Sequence, residues 1–161
     1  MTDAAAKILV TGFEPFDGRP VNASWIAAEA LHRAGGAQRV GLLQLPVVWG
    51  APKPLLRDVL ANDRWKMVLS LGEGKPGCFS LESLACNRRA LRQDNVGNPP
   101  DSEWVLPEGP EYLKSSAPLA RLRQELQAHG VPVVLSLNEG GYLCAETLYP
   151  LEQECRPFTE A

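Results

Sequence analysis

The sequence lacks the features that define several large protein classes. Its 161 residues include only two histidines, carry a net charge of −3, and contain no apolar run near the ~20 residues that cross a bilayer. The negative charge disfavours nucleic acid or an anionic membrane surface as a partner. The four cysteines form no Cys-x-x-Cys pair and lie far from either histidine, which argues against a zinc site. Thiols without such patterns suit a reducing cytoplasm.

The amino-terminal stretch MTDAAAKILVTGF also lacks the basic region and long apolar core of a secretory signal. We therefore expect a cytoplasmic protein. The remaining composition, with 45% hydrophobic and 22% charged residues, is ordinary for a globular protein. It predicts a single domain over residues 1–161.

Short apolar runs alternate with amphipathic segments along the chain. KILV at 7–10, MVLSL at 67–71 and VVLSL at 133–137 have the length and composition of buried parallel strands. This alternation predicts an α/β fold with a mostly parallel, twisted sheet flanked by helices. The other predicted elements are helices at Trp25–Arg33, Pro52–Leu60 and Leu119–Ala128, a long surface loop at Gln93–Glu111, and either a helix or a strand at Phe79–Arg92.

The stretch VVLSLNEGGYLCAETLY at 133–149 carries the strongest chemical signal. Its apolar run is followed by a polar and glycine break at 138–141, and then by a predicted helix with Cys144 near its start. Unpaired backbone N–H groups and the helix dipole favour a thiolate there. The two glycines allow a sharp turn and the close approach of a substrate. A cysteine nucleophile and a small buried core cysteine are equally compatible with this segment alone.

Ligands of parallel sheets collect at the carboxyl ends of the strands. The loops after Val10, Leu71 and Leu137 should therefore meet at one edge and bring together Phe13, Phe16, Glu73, Glu82 and Cys144. His32 and His129 fall at the opposite edge, about 17–20 Å away for a strand of five or six residues. This arrangement offers a nucleophile and a carboxylate for a cysteine hydrolase but no histidine as the base.

Three separated blocks carry a family resemblance. They are VTGFEPFDGRPVNASW at 10–25, FSLESLACNRRALRQDN at 79–95 with LPVV at 45–48 before it, and SLNEGGYLC at 136–144. In order and spacing they resemble the pyroglutamyl peptidase I (pyrrolidone-carboxylate peptidase) family of cysteine peptidases over about residues 7–150. The resemblance implies a cytosolic hydrolase, a thiol protease without metal or other cofactor. Its substrate would be a peptide with an N-terminal pyroglutamate, and family members often form dimers or tetramers.

The resemblance also implies roles for individual residues. Cys144 matches the nucleophile and Glu82 the carboxylate of the catalytic triad, while Arg92 matches an arginine near the reacting carbonyl. Glu73 stands in a loop where family members commonly have glutamine. The remaining substrate-binding positions are matched by Phe13, Phe16, Asn22, Tyr142 and Leu143.

The chemistry of a pyroglutamyl group fits these residue types. It is a neutral, flat lactam, whose recognition requires apolar walls and hydrogen bonds to the ring N–H and C=O. Phe13 and Phe16 could form such walls or could simply cap the core. A carboxylate at Glu73 beside a neutral ring needs an ionic partner or a raised pKa. Glu82 and Arg92 are also compatible with ordinary surface positions.

The sequence departs from the family pattern after the nucleophile. The family's triad histidine follows in a His-x-Pro setting that is absent here, and Ala145 stands where asparagine or aspartate is common. We therefore expect a C-terminally truncated member with a poorly matching tail at 151–161. Three alternatives follow: an impaired pyroglutamyl peptidase, a non-catalytic pyroglutamyl-binding relative (a pseudoenzyme), or a truncated product of poor solubility without function.

Overall fold

The computed structural model describes residues 7–138 and 140–154. The predicted tail lies outside the described residues from position 155 onward. The elements in chain order are β1 (Lys7–Phe13), α1 (Ala23–Gly35), β2 (Val40–Leu45), α2 (Pro52–Asn62), β3 (Trp65–Ser70), β4 (Phe79–Glu82), β5 (Leu84–Cys86), β6 (Tyr112–Lys114), α3 (Leu119–Ala128), β7 (Val133–Ser136) and α4 (Leu143–Glu154).

These elements fall into two compact units. Unit 1 comprises the described residues up to 73 together with 93–99, and unit 2 comprises 74–92 and the described residues from 100 onward. Strand pairing is parallel between β1 and β2, β1 and β3, and β4 and β7, and antiparallel between β5 and β6. The predicted α/β class with mainly parallel pairing is confirmed. The assignment of residues 1–161 to one domain stays a prediction.

Unit 1 is built on a three-stranded sheet in the order β2-β1-β3, with α1 against β1 and β2. The central strand is the most buried, because Leu9 and Val10 are at most 2% exposed. Gly12 lets α1 approach closely, since a Cβ at that position would lie 2.7 Å from the backbone oxygen of Ser24. The carboxyl end of β1 and the first turn of α1 are therefore held together.

Unit 2 contains two small sheets and the helices α3 and α4. Its core is a cluster formed by Ala85, Val105, Leu113, Ala145 and Tyr149. Tyr149 on α4 is fully buried and donates its hydroxyl to the backbone oxygen of Pro110 at 2.8 Å. The cluster thus fixes α4 against β5 and β6 and against the loop between them.

Several local predictions are confirmed and two are corrected. The three predicted helices are present as α1, α2 and α3, and the ambiguous segment forms the strands β4 and β5. The expectation of fully buried strands is wrong for β3 and β7, in which Met67 and Val134 are 43% and 47% exposed. Each of these strands has a single neighbour in its sheet, which leaves part of its surface uncovered. None of the described helices is long and apolar enough to cross a membrane.

Candidate active site

Cys144 is the second residue of α4, in the first turn where the sequence predicts it. The preceding break turns through Gly140 and Gly141, whose φ angles of 90° and 67° lie in the left-handed region. The backbone oxygen of Gly141 accepts the N–H of Ala90 at 2.6 Å, and a Cβ on Gly141 would lie 3.2 Å from the oxygen of Arg88. The close approach that Gly141 allows is thus to the chain's own backbone, whereas a Cβ on Gly140 would meet nothing within 4 Å; an approach by substrate stays a prediction.

Three further predicted site residues lie beside this turn in unit 2. The guanidinium carbon of Arg92 lies 4.4 Å from the ring centroid of Tyr142, a cation–π contact. Leu143 is only 2% exposed and anchors the start of α4, whereas Cys144 is half-buried. Arg92 therefore lies near the loop that precedes Cys144, and its position near a reacting carbonyl stays a prediction.

Glu82 lies at the edge of its sheet from which the loop before Cys144 begins. It is the last residue of β4 and is paired in register with Ser136, the last residue of β7. Its side chain is half-buried, and its Oε2 is buried without a hydrogen-bond partner among the residues that the structure describes. An unsatisfied buried polar group costs about 1–3 kcal/mol. Such an atom is typical of a site whose partner is a ligand or another catalytic group.

A buried ion pair close to Cys144 in sequence was not predicted. Glu146 follows Cys144 by two residues, and its side chain is 2% exposed. It is paired with Arg89, whose side chain is 12% exposed and also donates to Oδ1 of Asp101 at 3.0 Å and to the backbone oxygen of Ser102 at 3.2 Å. This network ties the first turn of α4 to two loops of unit 2. The ion pair therefore holds the helix that presents the thiol.

The other predicted residues gather around the amino-terminal end of α1 in unit 1. The side chain of Asn22 is buried, accepts the Ser24 N–H at 2.9 Å as the helix N-cap, and donates to the backbone oxygen of Glu14 at 3.0 Å. Phe13 donates its N–H to Oγ of Ser24 at 3.0 Å and is 4% exposed. Phe16 is half-buried. Of the two predicted ring walls, Phe13 packs in the core and Phe16 has surface left for a ligand.

Glu73 has partners on both carboxylate oxygens. Its Oε1 forms an ion pair with Arg19, and its Oε2 accepts the backbone N–H of Ala23 at 3.0 Å. The Ala23 N–H, followed by the Arg19 guanidinium, holds the pKa of Glu73 below its ordinary value, although desolvation acts in the opposite direction. Of the two alternatives for this carboxylate, the ionic partner is present and the raised pKa is wrong.

Each histidine lies at the opposite end of a strand from the predicted site residues of its own unit. His32, in the last turn of α1, has its Nδ1 2.6 Å from the oxygen of Val40 at the amino end of β2, whereas Phe13 ends β1 at its carboxyl end. His129 precedes β7 and is exposed, while Cys144 follows the carboxyl end of that strand. Four strand residues span about 13 Å. The predicted positions at the amino-terminal edges are confirmed.

The described residues contain no group of three or more His, Cys, Asp and Glu side chains that could hold a metal ion. Cys78, Cys86 and Cys144 are thiols rather than halves of a disulfide. The architecture and these side chains define an α/β protein with a free thiol in the first turn of α4.

Comparison with known proteins assigns the family. The sequence model of the pyroglutamyl peptidase family matches residues 6–156. The chain is 36% identical over 148 residues to a pyrrolidone-carboxylate peptidase from Gloeobacter violaceus, covering 90% of this chain and 72% of that protein. For a relative of the same name from Streptomyces coelicolor, the identity is 35% over 149 residues, with 90% and 68% covered. The chain belongs to the pyroglutamyl peptidase family.

Solved structures agree with this assignment. The crystal structure of pyroglutamyl peptidase I from Bacillus amyloliquefaciens matches with a TM-score of 0.84 and 29% identity, covering 92% of this chain and 74% of that chain. The pyrrolidone carboxyl peptidase of Fervidobacterium islandicum matches with the same TM-score, 25% identity and the same coverage. The predicted fold and the predicted family are both confirmed.

Proposed function

We propose that this chain binds N-terminal pyroglutamyl residues of peptides and attacks the following peptide bond with Cys144. The observation that carries the proposal is the position of Cys144 in the first turn of α4, within the stretch that matches the pyroglutamyl peptidase family. A thiol there is next to the positive end of the helix dipole, which stabilises the thiolate. Cys144 is half-buried rather than enclosed in the core.

The proposed reaction is acyl transfer through a thioester. The Cys144 sulfur adds to the pyroglutamyl carbonyl, the C–N bond breaks, the amine leaves with a proton, and water hydrolyses the acyl-enzyme. We assign Glu82 as the carboxylate of the site and Arg92 as a cation near the reacting carbonyl. The residues assigned to substrate binding are Phe13, Phe16, Asn22, Glu73, Tyr142 and Leu143.

The general base is the part of this reaction that neither histidine of the chain explains. His32 contacts the amino end of β2, and His129 lies before β7 rather than after it. A missing general base lowers the rate by about 10²–10⁴-fold. We therefore propose slow turnover. The unpartnered Oε2 of Glu82 supports a second candidate function, a protein that binds pyroglutamyl peptides without cleaving them.

Hydrolysis of a pyroglutamyl amidomethylcoumarin tests the proposal. We expect slow release that is selective over the prolyl reporter, is lost in Cys144→Ala and is retained in Cys86→Ala, a matched control because Cys86 is another half-buried thiol of unit 2. Equal release by the Cys144→Ala variant would contradict a role for the thiol. Calorimetric binding of a pyroglutamyl peptide with no release at all would favour the binding protein.

Location and assembly belong to the same proposal. The thiols Cys78, Cys86 and Cys144 support a reducing, cytoplasmic location. Self-association through the loop at 93–111 stays a prediction, which light scattering of the purified chain would test.

A further inference from the structure

The loop that carries Phe16 is closed by a tight turn. The N–H of Arg19 donates to the oxygen of Phe16 at 3.1 Å, and the intervening residues Asp17 and Gly18 have φ angles of 55° and 67°. Positive φ at both central positions is the mark of a type I′ turn, in which Asp and Gly are the favoured residues. The turn brings the first and fourth side chains together, and the Arg19 guanidinium carbon lies 4.2 Å from the Phe16 ring centroid.

The same guanidinium holds the Glu73 carboxylate. Glu73 follows β3, and its side chain is 20% exposed, compared with 43% for Arg19. Its second oxygen accepts the N–H of Ala23, the first residue of α1. The ring of Phe16, the cation of Arg19 and the anion of Glu73 thus form one continuous contact chain. The negative charge of Glu73 is linked to Phe16 through Arg19 and is compensated by Arg19 and by the helix terminus.

The neutralisation of Glu73 matters because the ring proposed to contact Phe16, a pyroglutamyl lactam, is uncharged. Pyroglutamyl and N-terminal prolyl residues share a five-membered ring, but the pyroglutamyl ring is neutral and the prolyl nitrogen is a secondary ammonium. Shape alone discriminates poorly between rings of equal size. An uncompensated carboxylate near the ring would attract the ammonium and repel the lactam carbonyl. Charge therefore provides a basis for telling the two ligands apart, in addition to any hydrogen bond to the ring carbonyl that the prolyl ring lacks.

We propose that Arg19 is a specificity-determining residue, which keeps the Phe16 loop selective for a neutral lactam by neutralising Glu73. This inference rests on the proposed function, because it assumes that Phe16 contacts the pyroglutamyl ring. It predicts that removal of the Arg19 charge converts the site into one that accepts a cationic ring. It also predicts that the effect requires the Glu73 charge, and that removal of both charges restores the preference.

Calorimetry with pyroglutamyl-alanine amide and prolyl-alanine amide tests this proposal in the Cys144→Ala background, which prevents turnover. The readout is the ratio of the two Kd values. We expect the parent to prefer the pyroglutamyl ligand and Arg19→Met to lower that preference by at most about tenfold, because the Ala23 N–H still compensates part of the Glu73 charge. Methionine retains an apolar stem for the Phe16 ring. Arg19→Lys, which keeps the charge, should retain the preference.

Two further variants separate charge from loop structure. Arg19→Met with Glu73→Gln should recover the parent ratio, whereas a structural role of Arg19 alone would leave the double variant impaired. Arg33→Met is the matched control, because it removes an exposed arginine of α1 that has no part in this contact chain. An unchanged ratio in Arg19→Met would overturn the inference while leaving the proposed function intact. Absence of pyroglutamyl binding by the parent would overturn both.

Discussion

Glu73 in unit 1 and Glu82 in unit 2 are both carboxylates near the carboxyl ends of parallel strands, but their surroundings differ. Both oxygens of Glu73 have partners within unit 1, from Arg19 and from the first turn of α1. Glu82 has a buried Oε2 with no hydrogen-bond partner in the described part of the chain. One carboxylate is satisfied by its own unit, and the other retains the cost of an unmade hydrogen bond.

Phe16 and Asn22 also have contacts within unit 1. The Phe16 ring contacts the Arg19 guanidinium, and the Asn22 side chain bonds to Ser24 and Glu14. The unpartnered oxygen of Glu82 lowers stability, and natural proteins retain such costs mainly at functional sites. The comparison predicts that substitutions of well-partnered groups destabilise the protein, whereas substitution of Glu82 does not.

The largest effect is expected for Arg89, the partner of buried Glu146. Arg89→Met leaves a buried carboxylate without its cation, which costs about 3–5 kcal/mol of the free energy of unfolding. The neighbouring Arg88 is the matched control, since its side chain is 44% exposed and its ion pairs with Glu103 and Glu111 lie at the surface. Arg88→Met should cost less than about 1 kcal/mol in urea denaturation. Equal effects of the two substitutions would show that the Arg89 pair does not hold α4.

The second-largest loss of stability is expected for substitution of Asn22 in unit 1. Asn22→Ala removes the N-cap of α1 and a buried hydrogen bond to Glu14, and we expect a loss of about 2 kcal/mol. Asn62→Ala serves as the control, because Asn62 is exposed and donates only to a carbonyl of its own helix. Thermal or urea unfolding of both variants measures the difference. A cost below that of Asn62→Ala would mean that α1 does not depend on this cap.

Substitution of Glu82 should raise the free energy of unfolding, whereas the two preceding substitutions lower it. Glu82→Met removes the buried Oε2, which has no hydrogen-bond partner in the described part of the chain, and keeps a side chain of similar length; we expect a gain of about 1 kcal/mol in the free energy of unfolding. The parallel Glu73→Met variant should lose stability, because it leaves Arg19 and the Ala23 N–H without their acceptor. Losses of the same size at both positions would remove the contrast between the two carboxylates.

The smallest effect is a pH dependence that originates at Glu73. Its pKa is lower in the folded than in the unfolded protein, so the unfolded state binds more protons as the pH falls. The stabilisation is therefore fully present above the ordinary carboxyl pKa and is lost as the pH falls through the lowered value. For a partly exposed pair it amounts to at most about 1 kcal/mol. The protein and Glu73→Gln, compared by urea unfolding at pH 7 and at successively lower pH, should converge in stability. A constant gap between them would contradict this origin.

Local features of the site were accessible from the sequence. An apolar run, two glycines and a helical pattern are consecutive in the chain, and they correctly predict Cys144 in the first turn of α4. Asn22 and Ser24 are both plausible helix caps from sequence. The structure selects Asn22 as the cap and uses the Ser24 hydroxyl as an acceptor for Phe13. Signals that act within a few residues are therefore readable before the fold is known.

Pairings across the chain were not accessible in the same way. Arg19 and Glu73 are 54 residues apart, and Arg89 and Glu146 are 57 apart, so no local pattern marks either pair. The burial of Asp94 was likewise not predictable from the sequence. It lies in a polar loop predicted to be at the surface, yet it is 8% exposed. Burial raises its pKa, but backbone N–H donors outweigh that effect and lower the pKa overall.

The most direct test of the account is covalent labelling by a pyroglutamyl chloromethyl ketone, in which a thiolate displaces chloride to form a thioether. The reagent carries the recognised ring and an electrophile, and it requires no general base for hydrolysis. Cys78, Cys86 and Cys144 are all half-buried, so accessibility alone favours none of them. The account predicts an adduct on Cys144 by peptide mass mapping, suppressed by excess pyroglutamyl peptide. Equal labelling of Cys78 or Cys86, or labelling of Cys144 that the peptide does not suppress, would contradict it.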